Sequence, residues 1–182
     1  MAERGGIIRD AHRFAPAAPG ESTVYGACSP GWHSAGSHAA AVDQWIECVR
    51  AAGIERVCCL LPGRQLDASQ ANVGRYRDAF GEANVLHAPV PDHRLADSEM
   101  LRREVLPFLA AADRRSEPVV VHCLSGIGRT GVVLAAWLVH GRGYGREQAL
   151  ETVSRLGRDP RAVVRRGTAT ERALHDLLDG VA

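Results

Sequence analysis

The residues with the clearest chemical potential lie together in Pro118–Gly131, PVVVHCLSGIGRTG. Within it, Cys123 and Arg129 are six positions apart, with glycines between them. An apolar strand precedes the cysteine and a helical pattern follows, so the glycine-rich segment is predicted to be a loop that opens a helix. Backbone N–H groups at such a helix start bind anions, and an arginine guanidinium donates two parallel hydrogen bonds to a phosphate. The pattern predicts a phosphate site with a sulfur at its base.

Cys123 is predicted to be a nucleophile at this site. The amides and helix end that hold a phosphate also stabilise a thiolate, which is the reactive form of cysteine. The hydroxyl of Thr130 can donate a hydrogen bond to the sulfur when the thiolate has to leave. A buried structural cysteine before a glycine turn is the alternative, and it accounts for these residues one at a time.

Gly126, Gly128 and Gly131 also spell GxGxxG, the fingerprint of a dinucleotide site. That fingerprint needs a further strand that ends in an acidic residue about 20 positions on. Glu147 and Glu151 fall inside the helical pattern REQALETVSRL instead. The missing strand-end acid disfavours a dinucleotide domain.

The segment HCLSGIGRTG resembles the HCxxGxxR(S/T)G signature of the cysteine-dependent protein tyrosine and dual-specificity phosphatases. All six fixed positions of the signature match: His122, Cys123, Gly126, Arg129, Thr130 and Gly131. The order of segments is similar to that of small dual-specificity-like phosphatases. The resemblance implies a phosphoric monoester hydrolase that works through a phosphocysteine on Cys123, without a metal or an organic cofactor.

The resemblance also implies roles for individual residues. The phosphate would be held by the loop amides and the arginine: Leu124, Ser125, Gly126, Ile127, Gly128 and Arg129. His122 would help to set the loop. An upstream aspartic acid protonates the leaving oxygen and then activates water. Asp92, 31 residues before Cys123, is the predicted acid. Asp97 is the alternative, although it also suits a helix N-cap.

The substrate is predicted to be a phosphoprotein that carries phosphotyrosine, with phosphoserine and phosphothreonine as further candidates. Some relatives position the water with a glutamine on a late loop, and the corresponding stretch 165–171 has none. No tyrosine-recognition segment is evident, which implies a shallow pocket. The same chemistry on an inositol phosphate, a phospholipid or an RNA 5′ end is one alternative. A phosphate-binding module without turnover is another.

Length and composition bound the class of protein. The 182 residues are 46% hydrophobic and 24% charged, which is typical of one soluble globular domain. The net charge of +1 gives no reason to expect nucleic acid or a membrane as a partner. All 22 basic residues are arginines, so lysine chemistry is excluded. Five cysteines without a CxxC pair, and no signal-like N-terminus, predict a reduced, cytoplasmic protein. The histidines lack metal-ligand spacing.

Alternation of apolar strands with amphipathic helices predicts an α/β fold, with a central, mostly parallel sheet of four or five strands and helices on both faces. Strands are expected at 23–27, 54–61, 85–90 and 119–122, and helices at 37–52, 73–80, 98–114, 129–140, 146–156 and 171–179. Pro107 should kink or split its helix. The catalytic domain is assigned to residues 21–182, after a tail or extended lead-in over 1–20.

Two further patterns have both a structural and a functional interpretation, whereas the tryptophans have a structural one. Over 155–172 the local charge is +4, which suits either a basic rim that steers anions or a solvated helix face. The adjacent Cys58 and Cys59 are expected in the core, although the resemblance raises a regulatory disulfide from one of them to Cys123. The three tryptophans are expected to be core or semi-buried residues: Trp32, Trp45 and Trp137.

Overall fold

A five-stranded sheet runs through the computed structural model, which describes residues 12–32, 38–68 and 71–182. The strands are β1 (Ala15–Pro16), β2 (Val24–Ala27), β3 (Arg56–Cys59), β4 (Val85–His87) and β5 (Val119–His122). Their order across the sheet is β1-β2-β5-β3-β4. β1 is antiparallel to β2, and the other neighbours are parallel. The predicted mostly parallel α/β sheet is confirmed, with β5 at its centre.

Nine α-helical segments are present in the described ranges. They are α1 (His38–Ala51), α2 (Gly63–Ala68), α3 (Val73–Phe80), α4 (Ser98–Met100), α5 (Leu106–Arg115), α6 (Gly128–Arg142), α7 (Arg146–Arg155), α8 (Ala162–Arg165) and α9 (Glu171–Asp179). The sequence pattern missed the short α2 and α8, which have too few turns to show a helical period. None of the helices in these ranges is long and apolar enough to cross a membrane.

The predicted helix over 98–114 is split, as Pro107 suggested. A π-helical turn, Leu101–Val105, separates α4 from α5, and Pro107 lies in the first turn of α5. Proline has no N–H to donate to the preceding turn, so it is tolerated at a helix start and breaks the ladder elsewhere.

The core lies on both faces of the central strand. All four β5 residues are buried. Val119 and Val121 pack on the face covered by α5, α6, α7 and α9, while Val120 packs on the opposite face with Trp45 and Tyr76. Burying each valine contributes about 2 kcal/mol. The strand that precedes the glycine-rich loop is therefore fixed from both sides.

The N-terminal segment and the tryptophans differ in part from what the sequence predicts. The described part of the 1–20 lead-in joins the sheet through β1, and Phe14 beside it is buried and stacks on Tyr25 at 4.9 Å between ring centroids. Residues 1–11 and 33–37, including the expected start of the first helix, lie outside the described ranges. Trp45 and Trp137 are buried as expected, but Trp32 is 40% exposed, so that prediction is wrong for Trp32.

Candidate active site

The glycine-rich loop lies at the carboxyl end of β5, between His122 and the first turn of α6. The neighbouring parallel strands end level with it, because both Ala27 of β2 and Cys59 of β3 pair with His122. Segments that follow parallel strands meet at this edge of a sheet, where α/β proteins bind ligands. The chain after β2, β3 and β4 is thus brought around the loop.

The loop turns its carbonyl groups outward. Three carbonyls accept hydrogen bonds from outside the loop: Leu124 O from Ser29 N–H at 2.9 Å, Gly126 O from Nη1 of Arg158 at 2.5 Å, and Ile127 O from Asp159 N–H at 3.1 Å. Among the described residues, none accepts a hydrogen bond from the amides of 124–127. With the carbonyls held outward and the helix start behind them, these amides form an anion cradle.

Gly126 is essential to the shape of this loop. Its φ is +73°, and a Cβ there would lie 2.4 Å from the carbonyl oxygen of Ala27. We expect Gly126→Ala to lower the free energy of unfolding by about 3 kcal/mol, from left-handed strain and overpacking together, as measured by urea denaturation. Gly143 has a φ of +68° and open space around it, so Gly143→Ala isolates the strain. Equal losses in the two variants would contradict the close packing of Gly126.

Arg158 supports the loop from below. Arg158 is only 4% exposed, so it belongs neither to a basic rim nor to a solvated helix face, the two alternatives for this stretch. Its guanidinium donates to three backbone carbonyls: those of Arg13, Gly26 and Gly126. Burial lowers the pKa of Arg158 to about 10, so the side chain remains a cation at neutral pH. It places a positive charge beneath the loop without touching the cavity.

Most other arginines of the predicted rim are neutralised by carboxylates. The pairs are Arg155 with Glu151, Arg161 with Glu147 and Glu171, Arg165 with Asp159, and Arg172 with Asp176. Arg166 makes no ion pair with any residue in the described ranges. The predicted basic rim is therefore reduced to one exposed arginine at the cavity.

A cavity of about 400 Å³ opens above the loop. Cys123 lies at its wall with most of the predicted phosphate-binding residues: Leu124, Ser125, Ile127, Gly128 and Arg129. Gly126 is not part of the wall. Asp92 and His93 border the cavity from the chain after β4, Trp32 from the chain after β2, and Arg166 from the chain after α8. The structure thus brings Cys123, Arg129 and Asp92 to one cavity.

Gln65, which the sequence analysis missed, links Arg129 to Asp92. The side-chain oxygen of Gln65 accepts from Nη1 of Arg129 at 2.7 Å, and its nitrogen donates to Oδ2 of Asp92 at 3.0 Å. Arg129 also contacts Asp92 directly, with Nη2 3.1 Å from Oδ1, and donates to the Val90 carbonyl at 3.0 Å. These contacts hold the loop after β4 against the arginine.

Asp97, the alternative acid, does not border the Cys123 cavity. Its Oδ1 accepts from the N–H of Met100 at 2.9 Å and caps α4. It borders a separate groove with Pro89 and Leu177. Capping accounts for Asp97, whereas Asp92 borders the cavity that contains Cys123. Asp159 borders the same cavity and forms an ion pair with Arg165.

His122 and Thr130 are buried on either side of Cys123 in the chain. Nδ1 of His122 lies 3.1 Å from the Cys123 carbonyl oxygen, and its ring packs edge-on against Trp45 and Tyr76. Burial lowers the pKa of His122 to about 4, so at neutral pH the uncharged ring donates to the loop. The Thr130 hydroxyl has no hydrogen-bond partner among the described residues.

His122 should make the fold acid-sensitive. The folded protein keeps the ring neutral down to a pKa of about 4, whereas the unfolded chain takes up the proton near 6.5. Its contribution is therefore complete above pH 6.5 and lost as the pH falls toward 4. We expect about 2 kcal/mol less stability at pH 5 than at pH 7 from this residue. Urea denaturation of wild type and His122→Gln measures it, and an identical pH dependence in the two proteins would contradict the expectation.

The other cysteines beside the site are buried thiols. Burial raises the pKa of Cys28 to about 11 and that of Cys59 to about 12, and it raises the pKa of Cys58 further still. A thiolate at Cys123 would raise the first two values, so Cys28 and Cys59 lie within its electrostatic reach. All five cysteines are free thiols. A regulatory disulfide to Cys58 or Cys59 stays a prediction.

One cluster among the described residues has metal-ligating groups. Ligand atoms of Glu147, Glu171 and His175 lie within 4.8 Å of one another. Arg161 contacts both carboxylates, at 2.8 and 2.6 Å, and so already supplies the positive charge there. None of the three lines the Cys123 cavity.

Comparison with known proteins gives a family match that includes Asp92, Cys123 and Arg129. A family model described as "Polymorphic toxin system, DSP-PTPase phosphatase" matches residues 31–142. The dual-specificity protein phosphatase OPG106 of vaccinia virus (strain Western Reserve) is 38% identical over 56 residues, which are 31% of this chain and 33% of that protein. The dual-specificity protein phosphatase TpbA of Pseudomonas aeruginosa (strain UCBPP-PA14) is 38% identical over 80 residues, 43% and 35% of the two chains. The match thus spans about a third of these relatives' length.

Solved structures match more of the chain at lower identity. PTPMT1 in complex with PI(5)P has a TM-score of 0.70 at 14% identity, over 92% of this chain and 96% of that one. Tk-PTP in its active form has a TM-score of 0.64 at 24% identity, over 88% and 92%. TpbA of P. aeruginosa in complex with pTyr has a TM-score of 0.55 at 21% identity, over 87% of each chain. These likenesses show a shared fold.

Proposed function

Because the chain belongs to the DSP-PTPase phosphatase family of polymorphic toxin systems, we propose that it is a protein phosphatase that hydrolyses phosphotyrosine through a phosphocysteine on Cys123. Phosphoserine and phosphothreonine are further candidate substrates. The observation that carries the proposal is the meeting of Cys123, Arg129 and Asp92 at one cavity above an amide cradle.

The first step is transfer of the phosphoryl group to sulfur. The inward amides and Arg129 hold the phosphate oxygens, and the Cys123 thiolate attacks the phosphorus in line with the leaving oxygen. Asp92 gives its proton to that oxygen as the bond breaks. Gln65 contacts both Arg129 and Asp92 and so holds the phosphate-binding guanidinium and the acid at fixed positions relative to each other.

The second step is hydrolysis of the phosphocysteine. Asp92, now a carboxylate, takes a proton from water as the water attacks phosphorus, and the thiolate leaves. The unpartnered Thr130 hydroxyl is placed one residue after Arg129 and would donate to the departing sulfur. His122 contributes by fixing the loop through the Cys123 carbonyl and remains uncharged.

The proposed function includes the bounds of the catalytic domain, its cofactor requirement and its location in the cell. We assign residues 21–182 to the catalytic domain, with 1–20 as a lead-in that adds β1 to the sheet. The reaction uses no metal or organic cofactor, since protein groups supply the nucleophile, the acid and the charge. A reducing compartment protects a cysteine nucleophile from oxidation, so we propose a cytoplasmic location.

The alternative is the same chemistry on a non-protein phosphomonoester. PTPMT1, a structural neighbour, was solved with PI(5)P. In this chain the loop interior is Leu124, Ser125, Ile127 and Gly128, which offers no basic side chain to additional phosphates. That composition favours a substrate with a single phosphate.

The test is turnover of p-nitrophenyl phosphate by the full chain in the presence of EDTA and dithiothreitol. We expect release of p-nitrophenol, and acid quenching with ³²P-labelled substrate should leave the label on the peptide that contains Cys123. Failure of the folded protein to release any product, or a label on another residue, would overturn the proposal. Phosphate binding without turnover would indicate a binding module.

A further inference from the structure

Trp32 is placed at the cavity by a firmly held turn. Behind it, Ser29 N–H donates to the Leu124 carbonyl at 2.9 Å, which ties the turn directly to the phosphate loop. The Cys28 carbonyl accepts from the Trp45 indole at 3.0 Å, and the Trp32 N–H closes the turn on Ser29 O at 3.3 Å. These hydrogen bonds tie the backbone of Trp32 to the phosphate loop.

The exposure of Trp32 is unusual in this molecule. Its side chain is 40% exposed, and no other large hydrophobic residue in the described ranges is exposed. An exposed aromatic side chain at the mouth of a functional cavity is a typical feature of a recognition site. Trp45 and Trp137, by contrast, are buried in the core.

Arg166 provides a charge at the same mouth. It borders the same cavity as Trp32, and its side chain is exposed. Neighbouring arginines are paired with carboxylates, whereas Arg166 forms no ion pair within the described ranges. A guanidinium in this position is available to a carboxylate on a ligand.

Resting on the proposed function, we propose that Trp32 and Arg166, together called the recognition rim, select phosphotyrosine that is flanked by an acidic residue. A phosphate held above Cys123 places the tyrosine ring between the loop and the peptide backbone, at the level of the mouth. There the ring packs against the Trp32 indole in a stacked or edge-to-face pair. Phosphoserine and phosphothreonine have no ring to offer. Arg166 then pairs with the neighbouring carboxylate.

This rim changes the expectation of an undiscriminating, shallow pocket. Selectivity comes from an aromatic side chain before α1 and a cation after α8, neither of which belongs to the phosphate loop. The occupant is a peptide segment because one aromatic surface and one cation border the same cavity. This combination suits a ring next to a carboxylate better than a polyphosphorylated headgroup.

The aromatic half is tested with two peptides of identical sequence that carry phosphotyrosine or phosphothreonine. We expect Trp32→Ala to lower kcat/KM about tenfold for phosphotyrosine, equivalent to about 1.4 kcal/mol, and less than about twofold for phosphothreonine. Trp32→Phe should restore most of the difference. An unchanged ratio between the peptides, or an equal fall on both, would overturn the inference.

A binding measurement provides an independent readout. In a Cys123→Ser background, the phosphotyrosine peptide should quench the emission of Trp32, and Trp32→Phe should remove that change while Trp45 and Trp137 stay buried and silent. Quenching of equal size by the phosphothreonine peptide would contradict stacking with the tyrosine ring.

The charged half is tested with phosphotyrosine peptides that carry glutamate or glutamine beside the phosphotyrosine. Arg166→Ala should reduce the preference for glutamate by about threefold at low salt, as for an exposed ion pair, and 0.5 M NaCl should reduce it in the wild type. Arg155→Ala, which removes an exposed arginine paired with Glu151, is the matched control.

Failure of the inference differs from failure of the proposed function. Cys123-dependent turnover with unchanged peptide ratios would overturn the recognition rim and leave the phosphatase standing. Absence of turnover on every aryl phosphate would overturn the phosphatase itself. A higher kcat/KM on a short-chain phosphoinositide than on either peptide would overturn the choice of a phosphotyrosine segment.

Discussion

Replacement of Cys123 by serine is expected to lower kcat on p-nitrophenyl phosphate by about 10⁵-fold, to the limit of detection, as is typical when a nucleophile is removed. A serine hydroxyl is much less acidic than a thiol, so it stays protonated at neutral pH, whereas the proposed first step needs an anionic nucleophile. The loop amides and Arg129 are unchanged, so binding should survive. Steady-state kinetics and the affinity for inorganic phosphate, measured side by side, separate the two effects.

The matched control for this variant is Cys59→Ala. Cys59 is fully buried beside His122, and burial raises its pKa to about 12, so it stays a neutral thiol. Activity should remain within about twofold, while stability falls slightly because a small apolar group is lost. More than about a hundredth of the wild-type rate in Cys123→Ser would contradict a covalent route through sulfur.

The phosphate loop was accessible to sequence analysis because its determinants are local. Six residues within ten positions specify the strand end, the glycine turn and the helix start. The same holds for α7, whose buried residues Ala149, Leu150 and Val153 follow the spacing of one helix face. Short-range hydrogen bonds and helical periodicity are properties of a continuous segment, and so a single sequence displays them.

Trp32, Gln65 and Arg158 were missed or misread because their roles depend on distant partners. Gln65 meets Arg129 across 64 positions, and Arg158 reaches Gly126 across 32. The position of Gln65 after β3 was a usable signal, since the carboxyl ends of parallel strands share one edge. For Arg158 no such signal existed: an arginine in a basic stretch is normally solvated, and its burial follows from packing against β2.

Asp92 is expected to show a dependence on the leaving group that a structural residue would not. Asp92→Asn should lower kcat/KM on phenyl phosphate by about 10³-fold, because the departing phenolate needs a proton in the transition state. On 2,4-dinitrophenyl phosphate the leaving oxygen is stable as an anion, so the fall in the first step should stay below about tenfold. Steady-state kinetics on both substrates measures the contrast.

Stopped-flow kinetics then shows whether Asp92 also serves the second step. If it activates the water, Asp92→Asn should release one equivalent of dinitrophenolate per enzyme in a burst and then turn over slowly, because phosphocysteine accumulates. Asp97→Asn is the control, since asparagine still caps α4 through its side-chain oxygen and leaves the cavity untouched. Equal losses on both substrates in Asp92→Asn would mean that the contact with Arg129 is structural. Asp92 contacts both Arg129 and Gln65, so Asp92→Asn could also displace Arg129. A displaced Arg129 would slow the first step and abolish the burst. Observation of a burst therefore shows that the loss lies in the second step.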